Sequence, residues 1–163
     1  MSDSPLYALA VRVGHCLKAT GRTLATAESC TGGWISKLVT DRAGSSDWFD
    51  RGFVTYSNAA KVEMLGVPAE LIQRHGAVSR EVVEAMASGA LERSQASVSV
   101  AVSGVAGPGG GSAGKPVGLV WFAWRVDDDV SSESLILPGD RDAVRRDAAW
   151  HALEGVLARL VDE

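Results

Sequence analysis

Cysteine is scarce in this chain of 163 residues: Cys16 and Cys30 are the only two, in unlike contexts and without a Cys-x-x-Cys spacing. Two such residues indicate neither a disulfide framework nor a zinc site. We therefore expect two reduced thiols, no bound metal and no other cofactor.

Long apolar runs and an excess of basic residues are also missing. No stretch approaches the roughly 18 apolar residues of a membrane span, and residues 1–5 lack the basic and apolar parts of a signal peptide. The 16 Lys and Arg residues stand against 20 Asp and Glu residues, a formal net charge of −4. Because binding to polyanions depends on Lys and Arg neutralising phosphates, we expect a cytoplasmic protein that binds neither membranes nor nucleic acids.

The composition is that of an ordinary globular protein, with 46% hydrophobic and 22% charged residues. The length fits one domain, so we predict a single domain over residues 1–163. Trp48, Trp121, Trp124 and Trp150 indicate sizeable apolar contacts, for which we prefer core packing over an interface between copies. The sequence leaves open whether the protein is a homo-oligomer, either a dimer or something larger.

The order of predicted helices and strands indicates the fold class. Apolar periodicity predicts helices over 6–20, from 34 to 39, after an N-cap at Asn58, over 81–93 after a cap at Ser79, and from 140 onward. Alternation and β-branched content predict strands over 23–27, 53–57, 97–103, 117–126 and 134–137. Helices between the early strands favour parallel pairing, and the acidic turn 127–129 favours a late antiparallel hairpin. We predict a three-layer α/β/α fold with a mixed sheet.

The segment 28–33, Glu-Ser-Cys-Thr-Gly-Gly, lies between a predicted strand and a predicted helix. In α/β sheets ligands bind at the carboxyl ends of strands, where unpaired N–H groups at a helix start can hold a phosphate or an oxyanion. Gly32 and Gly33 allow a ligand to approach the backbone closely. Ser29 is therefore a candidate nucleophile, although Ser29 or Thr31 is equally well explained as a helix cap.

A serine nucleophile needs a base, and the three histidines are poor candidates because His15 and His151 lie within predicted helices and His75 beside a loop glycine. Tyr56 ends the second predicted strand, and Lys61 follows in the next helix, near the same sheet edge as Ser29. A lysine accepts a serine proton only if desolvation or nearby positive charge lowers its pKa. On spacing alone, a solvated Lys61 and an aromatic strand-end Tyr56 remain the simpler interpretation.

Two features point to rival chemistry. The glycine-rich loop 104–116 contains the Gly-x-x-x-x-Gly-Lys part of a phosphate-binding loop, but Pro116 replaces the hydroxyl residue that would hold magnesium, and a predicted strand follows instead of a helix. We therefore do not expect an ATPase. Cys30 is the more serious rival, because a thiolate is a stronger nucleophile and a helix N-terminus lowers a thiol pKa. It has no evident histidine partner, and a buried small residue is the alternative interpretation.

Four separated motifs resemble the CinA C-terminal domain family. They are residues 27–33 (Ala-Glu-Ser-Cys-Thr-Gly-Gly), 52–58 (Gly-Phe-Val-Thr-Tyr-Ser-Asn) with Lys61, 103–108 (Ser-Gly-Val-Ala-Gly-Pro) and 139–145 (Gly-Asp-Arg-Asp-Ala-Val-Arg). The resemblance covers nearly the whole chain in order and is closest to the stand-alone form of the family. It implies hydrolysis of the carboxamide of nicotinamide mononucleotide to nicotinate mononucleotide and ammonia, for pyridine-nucleotide recycling.

The resemblance also implies roles for individual residues. Ser29 would be the nucleophile, with Lys61 and Tyr56 as its activating partners. Further candidates for substrate binding are Thr31, Gly32 and Gly33 through their N–H groups, together with Asn58, Ser103, Gly104, Arg141 and Arg145. The two arginines suit a phosphate, or a contact with a neighbouring subunit. The alternative function is a regulatory module that binds a nucleotide without turnover.

Overall fold

The computed structural model describes residues 4–161 and contains one five-stranded sheet flanked by helices. The helices are α1 (Pro5–Ala19), α2 (Trp34–Thr40), α3 (Asn58–Leu65), α4 (Ala69–His75), α5 (Arg80–Glu92) and α6 (Arg141–Val161), with a 3-10 turn at Ser45–Asp47. The strands are β1 (Leu24–Glu28), β2 (Phe49–Val54), β3 (Val98–Gly104), β4 (Leu119–Val126) and β5 (Asp129–Ile136). None of the helices in this range is long and apolar enough to cross a membrane.

The sheet is mixed, with strand order β2-β1-β3-β4-β5. β1 pairs in parallel with both β2 and β3, whereas β3–β4 and β4–β5 are antiparallel. Helices α1, α2 and α6 pack on one face, and α3, α4 and α5 on the other. The predicted three-layer α/β/α fold with early parallel strands and a late hairpin is confirmed.

Side-chain alternation along the strands separates two cores. In β3, Val98, Val100 and Val102 join the cluster under α1 and α6, while Ala101 joins the cluster under α5. The larger cluster contains Trp48 and Trp124, which are 4% and 0% exposed. Core packing is therefore the use of these two tryptophans.

Both polar edge strands differ from their predicted positions. β2 begins at Phe49 and ends at Val54, because residues 55–57 leave the sheet to start α3. β5 begins at Asp129, since the chain reverses at Asp127, whose φ is +55°. Edge strands with one solvent-facing side and many polar residues lack the apolar alternation that would reveal them.

Serine residues cap three helices. Ser4 and Ser79 accept from the N–H groups of Tyr7 and Val82 at 3.1 and 3.3 Å, and the predicted cap at Ser79 is confirmed. The predicted cap at Asn58 is wrong: Ser57 caps α3, accepting from the N–H of Ala60 at 3.0 Å. Residue 57 has the extended backbone that a cap requires, and Asn58 is already helical.

Candidate active site

Residues 29–33, called the catalytic turn after the role that we propose for them below, connect the end of β1 to the start of α2. The Ser29 N–H donates to the Val102 carbonyl at 3.0 Å, so this residue is held beside β3 at the carboxyl edge of the sheet. The Gly32 N–H donates back to the Ser29 carbonyl at 3.0 Å and closes the turn. Gly32 and Gly33 have φ values of +59° and +104°, which glycine adopts without strain.

Glu28 holds this turn from the inside. Its side chain is fully buried, and its carboxylate accepts from Thr31 Oγ1 at 2.6 Å and from the Ile35 N–H at 2.9 Å. The other oxygen accepts from the N–H and the hydroxyl of Ser36 at 2.9 and 2.8 Å. Because the N-cap residue Gly33 has no side chain, Glu28 satisfies the first N–H groups of α2.

Lys61 lies in α3 with only 1% of its surface exposed. Its Nζ lies 3.0 Å from Ser29 Oγ and donates to the carbonyls of Thr55 and Tyr56 at 2.9 and 3.1 Å. Among the described residues no carboxylate forms an ion pair with this amine. Burial lowers the pKa of Lys61 from 10.5 to about 8. The structure thus brings together the two residues that the sequence proposed as nucleophile and base.

Tyr56 contributes its backbone and its side chain to different parts of the site. Its carbonyl accepts from Lys61 Nζ, as above, and lies 3.4 Å from Ser29 Oγ. Tyr56 as a whole is 60% exposed. Its phenol oxygen accepts from Arg141 Nη2 at 3.0 Å, while Arg141 Nη1 donates to the Gly107 carbonyl at 2.8 Å. The main-chain carbonyl, and not the phenol, is therefore the part of Tyr56 that contacts the lysine.

A cavity of about 320 Å³ opens above Ser29 and Lys61. Its lining includes most of the residues expected from the sequence, namely Ser29, Tyr56, Asn58, Lys61, Ser103, Gly104 and Arg141. Sequence reasoning missed the wall formed by Ala77 and Val78, which precede α5, and by parts of the segment 105–110. For the part formed by residues 105–110, the sequence offered one indication, namely the length and glycine content of the loop after β3.

The remaining candidates lie on the other side of the catalytic turn. Thr31, Gly32, Gly33 and Arg145 line a separate cavity of about 460 Å³, together with Trp34 and Lys37. A third cavity, of about 360 Å³, lies between α1 and residues 42–48, and its lining contains no serine, threonine or cysteine. In the Ser29 cavity, a serine hydroxyl lies within hydrogen-bond distance of a buried amine.

Cys30, which lines the Ser29 cavity, and the glycine-rich loop have environments that do not favour the rival chemistry. Cys30 is 5% exposed, and burial raises the pKa of its thiol to about 11, which keeps it protonated at neutral pH. Lys115 of the glycine-rich loop donates to the carbonyl of His75 at the end of α4. His151 contacts Glu133 and His75 contacts Glu81, and neither histidine lines the Ser29 cavity.

Comparison with known sequences gives the same family throughout. The model of the CinA C-terminal domain family matches residues 6–160. The chain is 55% identical over 155 residues to the nicotinamide-nucleotide amidohydrolase PncC of Escherichia coli, covering 94% of both chains. It is 54% identical to the PncC of Pseudomonas putida, covering 94% of this chain and 96% of that protein. A CinA-like protein of Akkermansia muciniphila is 55% identical over 134 residues, which cover 32% of its length.

Solved structures show the same architecture. A CinA superfamily protein from Klebsiella pneumoniae superposes with a TM-score of 0.95 at 37% identity, covering 98% of this chain and 100% of that one. A competence/damage inducible protein from Agrobacterium tumefaciens gives a TM-score of 0.92 at 46% identity, covering 95% of each chain. The likeness therefore extends over the whole sheet and its helices.

Proposed function

The chain belongs to the CinA C-terminal domain family, and we propose that it is a nicotinamide-nucleotide amidohydrolase that converts nicotinamide mononucleotide to nicotinate mononucleotide and ammonia. Curated relatives at 52–55% identity carry that activity in their names. The observation that carries the proposal is the 3.0 Å separation of Lys61 Nζ and Ser29 Oγ in a buried site, where no carboxylate of residues 4–161 forms an ion pair with the amine. The free cysteines of this chain, Cys16 and Cys30, suit a reducing compartment such as the cytoplasm.

The reaction begins when the neutral amine of Lys61 removes the proton of Ser29. Serine Oγ attacks the carboxamide carbon, and a tetrahedral intermediate with a negatively charged oxygen forms. The C–N bond then breaks, and the protonated Lys61 gives its proton to the leaving nitrogen, so ammonia departs from an acyl-enzyme. Lys61 next removes a proton from water, whose oxygen attacks the ester carbon. The bond from that carbon to Ser29 Oγ then breaks, and Lys61 returns the proton to Ser29 Oγ as the nicotinate product leaves.

The environment of Lys61 suits both halves of this cycle. With a pKa of about 8, roughly a tenth of the molecules carry the neutral amine at pH 7. The neutral amine has two N–H groups for the carbonyls of Thr55 and Tyr56, which leaves its lone pair for the Ser29 hydroxyl. The two carbonyls therefore orient the base, which gives Tyr56 an activating role through its main chain.

The oxyanion is stabilised by N–H groups of the catalytic turn. Within the described residues, the N–H groups of Cys30, Thr31 and Gly33 donate to no other group, whereas the Gly32 N–H is used by the Ser29 carbonyl. Loss of one such donor typically lowers the rate about 100-fold or more. We assign the Gly32 N–H to closing the turn and the N–H of Cys30, which lines the Ser29 cavity, to the oxyanion.

The nucleotide lies along the rest of the cavity. Asn58, Ser103 and Gly104 contact the substrate near the reacting carboxamide, and Arg141 at the rim binds the phosphate. Arg141 is held at this rim by the Gly107 carbonyl and the Tyr56 hydroxyl, both within 3.0 Å. A guanidinium with such fixed contacts is well ordered for recognising a phosphate.

Ammonia release from purified protein tests the proposal. We expect release from nicotinamide mononucleotide, an abolished rate in Ser29→Ala, and a nearly unchanged rate in Cys30→Ala, the matched control one residue away. A Ser29→Ala variant with wild-type activity would refute the serine mechanism. Tight binding of the mononucleotide with no ammonia above background would instead support a regulatory module.

A further inference from the structure

Arg145 lies in the second turn of α6 and contacts the catalytic turn directly. Its Nε donates to the Cys30 carbonyl at 3.0 Å, and its Nη2 donates to the Thr31 carbonyl at 3.3 Å. The guanidinium also lies 5.7 Å from the centre of the Trp34 ring. One side chain from the last helix thus binds two successive carbonyls beside the nucleophile.

Peptide geometry links these carbonyls to the N–H groups on the other side of the turn. In a trans peptide the C=O and N–H bonds point in opposite directions. Holding the Cys30 carbonyl toward α6 therefore directs the Thr31 N–H away from α6. Holding the Thr31 carbonyl likewise directs the Gly32 N–H toward the Ser29 carbonyl, where it closes the turn. The Ser29 carbonyl shares its peptide with the Cys30 N–H, so this contact also fixes the direction of that N–H.

The position of Arg145 does not suit a phosphate ligand. It lines the cavity behind the turn, whereas Arg141, one helical turn earlier, lines the cavity that contains Ser29 and Lys61. Two of the guanidinium nitrogens of Arg145 are occupied by carbonyls. A Cβ at Gly32 would lie 3.2 Å from Nη2, so the guanidinium packs tightly against the turn itself.

We propose that Arg145 is a positioning residue that clamps the Cys30 and Thr31 carbonyls and so holds the catalytic turn in the conformation that directs the Cys30 N–H to the oxyanion. The inference rests on the proposed amidohydrolase function for its choice of substrate, but the contacts that define the clamp do not depend on that substrate. Removal of the guanidinium should therefore lower the turnover number and leave the affinity for substrate nearly unchanged.

Steady-state kinetics separate the clamp from a phosphate ligand. We expect Arg145→Gln to lower kcat by roughly 10- to 100-fold on both nicotinamide mononucleotide and the phosphate-free nicotinamide riboside, with KM changed less than about threefold. Arg146→Gln is the matched control, because Arg146 is the next residue, its side chain is 54% exposed, and its guanidinium pairs with Asp147 at the surface. A KM that rises for the mononucleotide alone would overturn the proposal in favour of phosphate binding.

Labelling of Ser29 by a fluorophosphonate gives a readout that does not require the proposed substrate, since the reagent forms a tetrahedral adduct with an activated serine. We expect Arg145→Gln to be labelled roughly tenfold or more slowly than wild type and Arg146→Gln at the wild-type rate, with guanidinium ions restoring part of the rate. Equal rates in wild type and Arg145→Gln would overturn the clamp. If the wild type is labelled but releases no ammonia, the proposed function is wrong, and the labelling rates of wild type and Arg145→Gln still test the clamp.

Should Arg145→Gln fail to fold, Arg145→Lys provides the same test. Lysine keeps the charge, but its single amine lacks the planar fork that reaches two carbonyls. We expect the folded Arg145→Lys protein to show the same lowered labelling rate, to a smaller extent. A wild-type labelling rate in that variant would contradict the proposal.

Discussion

Glu28 is a buried acidic residue whose carboxylate depends on hydrogen bonds from neighbouring residues. It is fully buried, and within the described residues its carboxylate is balanced by hydrogen-bond donors and not by a cation. Each donor lies at the start of α2 or in the catalytic turn, so the charge also faces the positive end of that helix. Sequence reasoning placed Glu28 in the motif but gave it no role, because the donors become neighbours only when the chain reverses.

Glu28→Ala therefore destabilises the protein and the site together. It leaves the Ile35 and Ser36 N–H groups buried without an acceptor, and each such group costs about 1–3 kcal/mol. We expect a loss of about 3 kcal/mol in the free energy of unfolding, measured by urea denaturation, and a lower kcat. The control Glu63→Ala removes an exposed carboxylate and should change stability by less than about 0.5 kcal/mol. Equal stability of the two variants would refute the role of Glu28.

Among the helices and strands, the sequence predicts those that have a clear pattern of apolar residues. The strand–turn–helix unit around Ser29 and the helix carrying Lys61 were predicted in the right order, because buried strands and capped helices have clear patterns. The edge strands β2 and β5 were misplaced because polar residues face solvent, and α4 was not predicted. The Tyr56 carbonyl accepts from Lys61, and the Arg145 side chain binds two carbonyls of the catalytic turn. Contacts to main-chain atoms cannot be predicted from residue types, because every residue has a carbonyl.

Close packing against α5 positions α3, the helix that carries Lys61. A Cβ on Gly89 of α5 would lie 2.0 Å from the Leu65 carbonyl at the end of α3, the helix that carries Lys61. Gly89→Ala must push α3 outward, and overpacking of this kind costs about 1–3 kcal/mol. We expect a lower melting temperature and a lower kcat, whereas Ser88→Ala, one position away, should leave both unchanged. An unaltered Gly89→Ala protein would show that α3 is free to move without consequence.

For the whole molecule, the buried lysine links stability to pH. The pKa of Lys61 is about 8 in the folded chain and near 10.5 in the unfolded chain, so the unfolded state binds more protons between these values. Stability contributed by this group therefore rises as pH increases from about 8 to 10.5. The cost of burying the amine is therefore fully present at pH values well below 8 and declines as the pH rises from 8 to 10.5.

Comparison with Lys61→Met isolates this linkage from other titrations. Between pH 7.5 and pH 10, the free energy of unfolding of the wild type should gain about 2 kcal/mol relative to Lys61→Met. Urea denaturation of both proteins at the two pH values measures the difference. Lys18→Met, which removes a lysine that is 70% exposed, should follow the wild type. Identical pH dependence in wild type and Lys61→Met would show that Lys61 keeps an ordinary pKa.

The central claim is that neutral Lys61 activates Ser29, and the pH dependence of kcat/KM for nicotinamide mononucleotide tests it most directly. Because only the neutral amine accepts the serine proton, kcat/KM should rise about tenfold per pH unit below a midpoint near 8 and level off above it. The Lys61→Met variant should hydrolyse nicotinamide mononucleotide no faster than background. A kcat/KM that is constant between pH 6 and pH 9, or a Lys61→Met variant with the wild-type rate, would contradict the account.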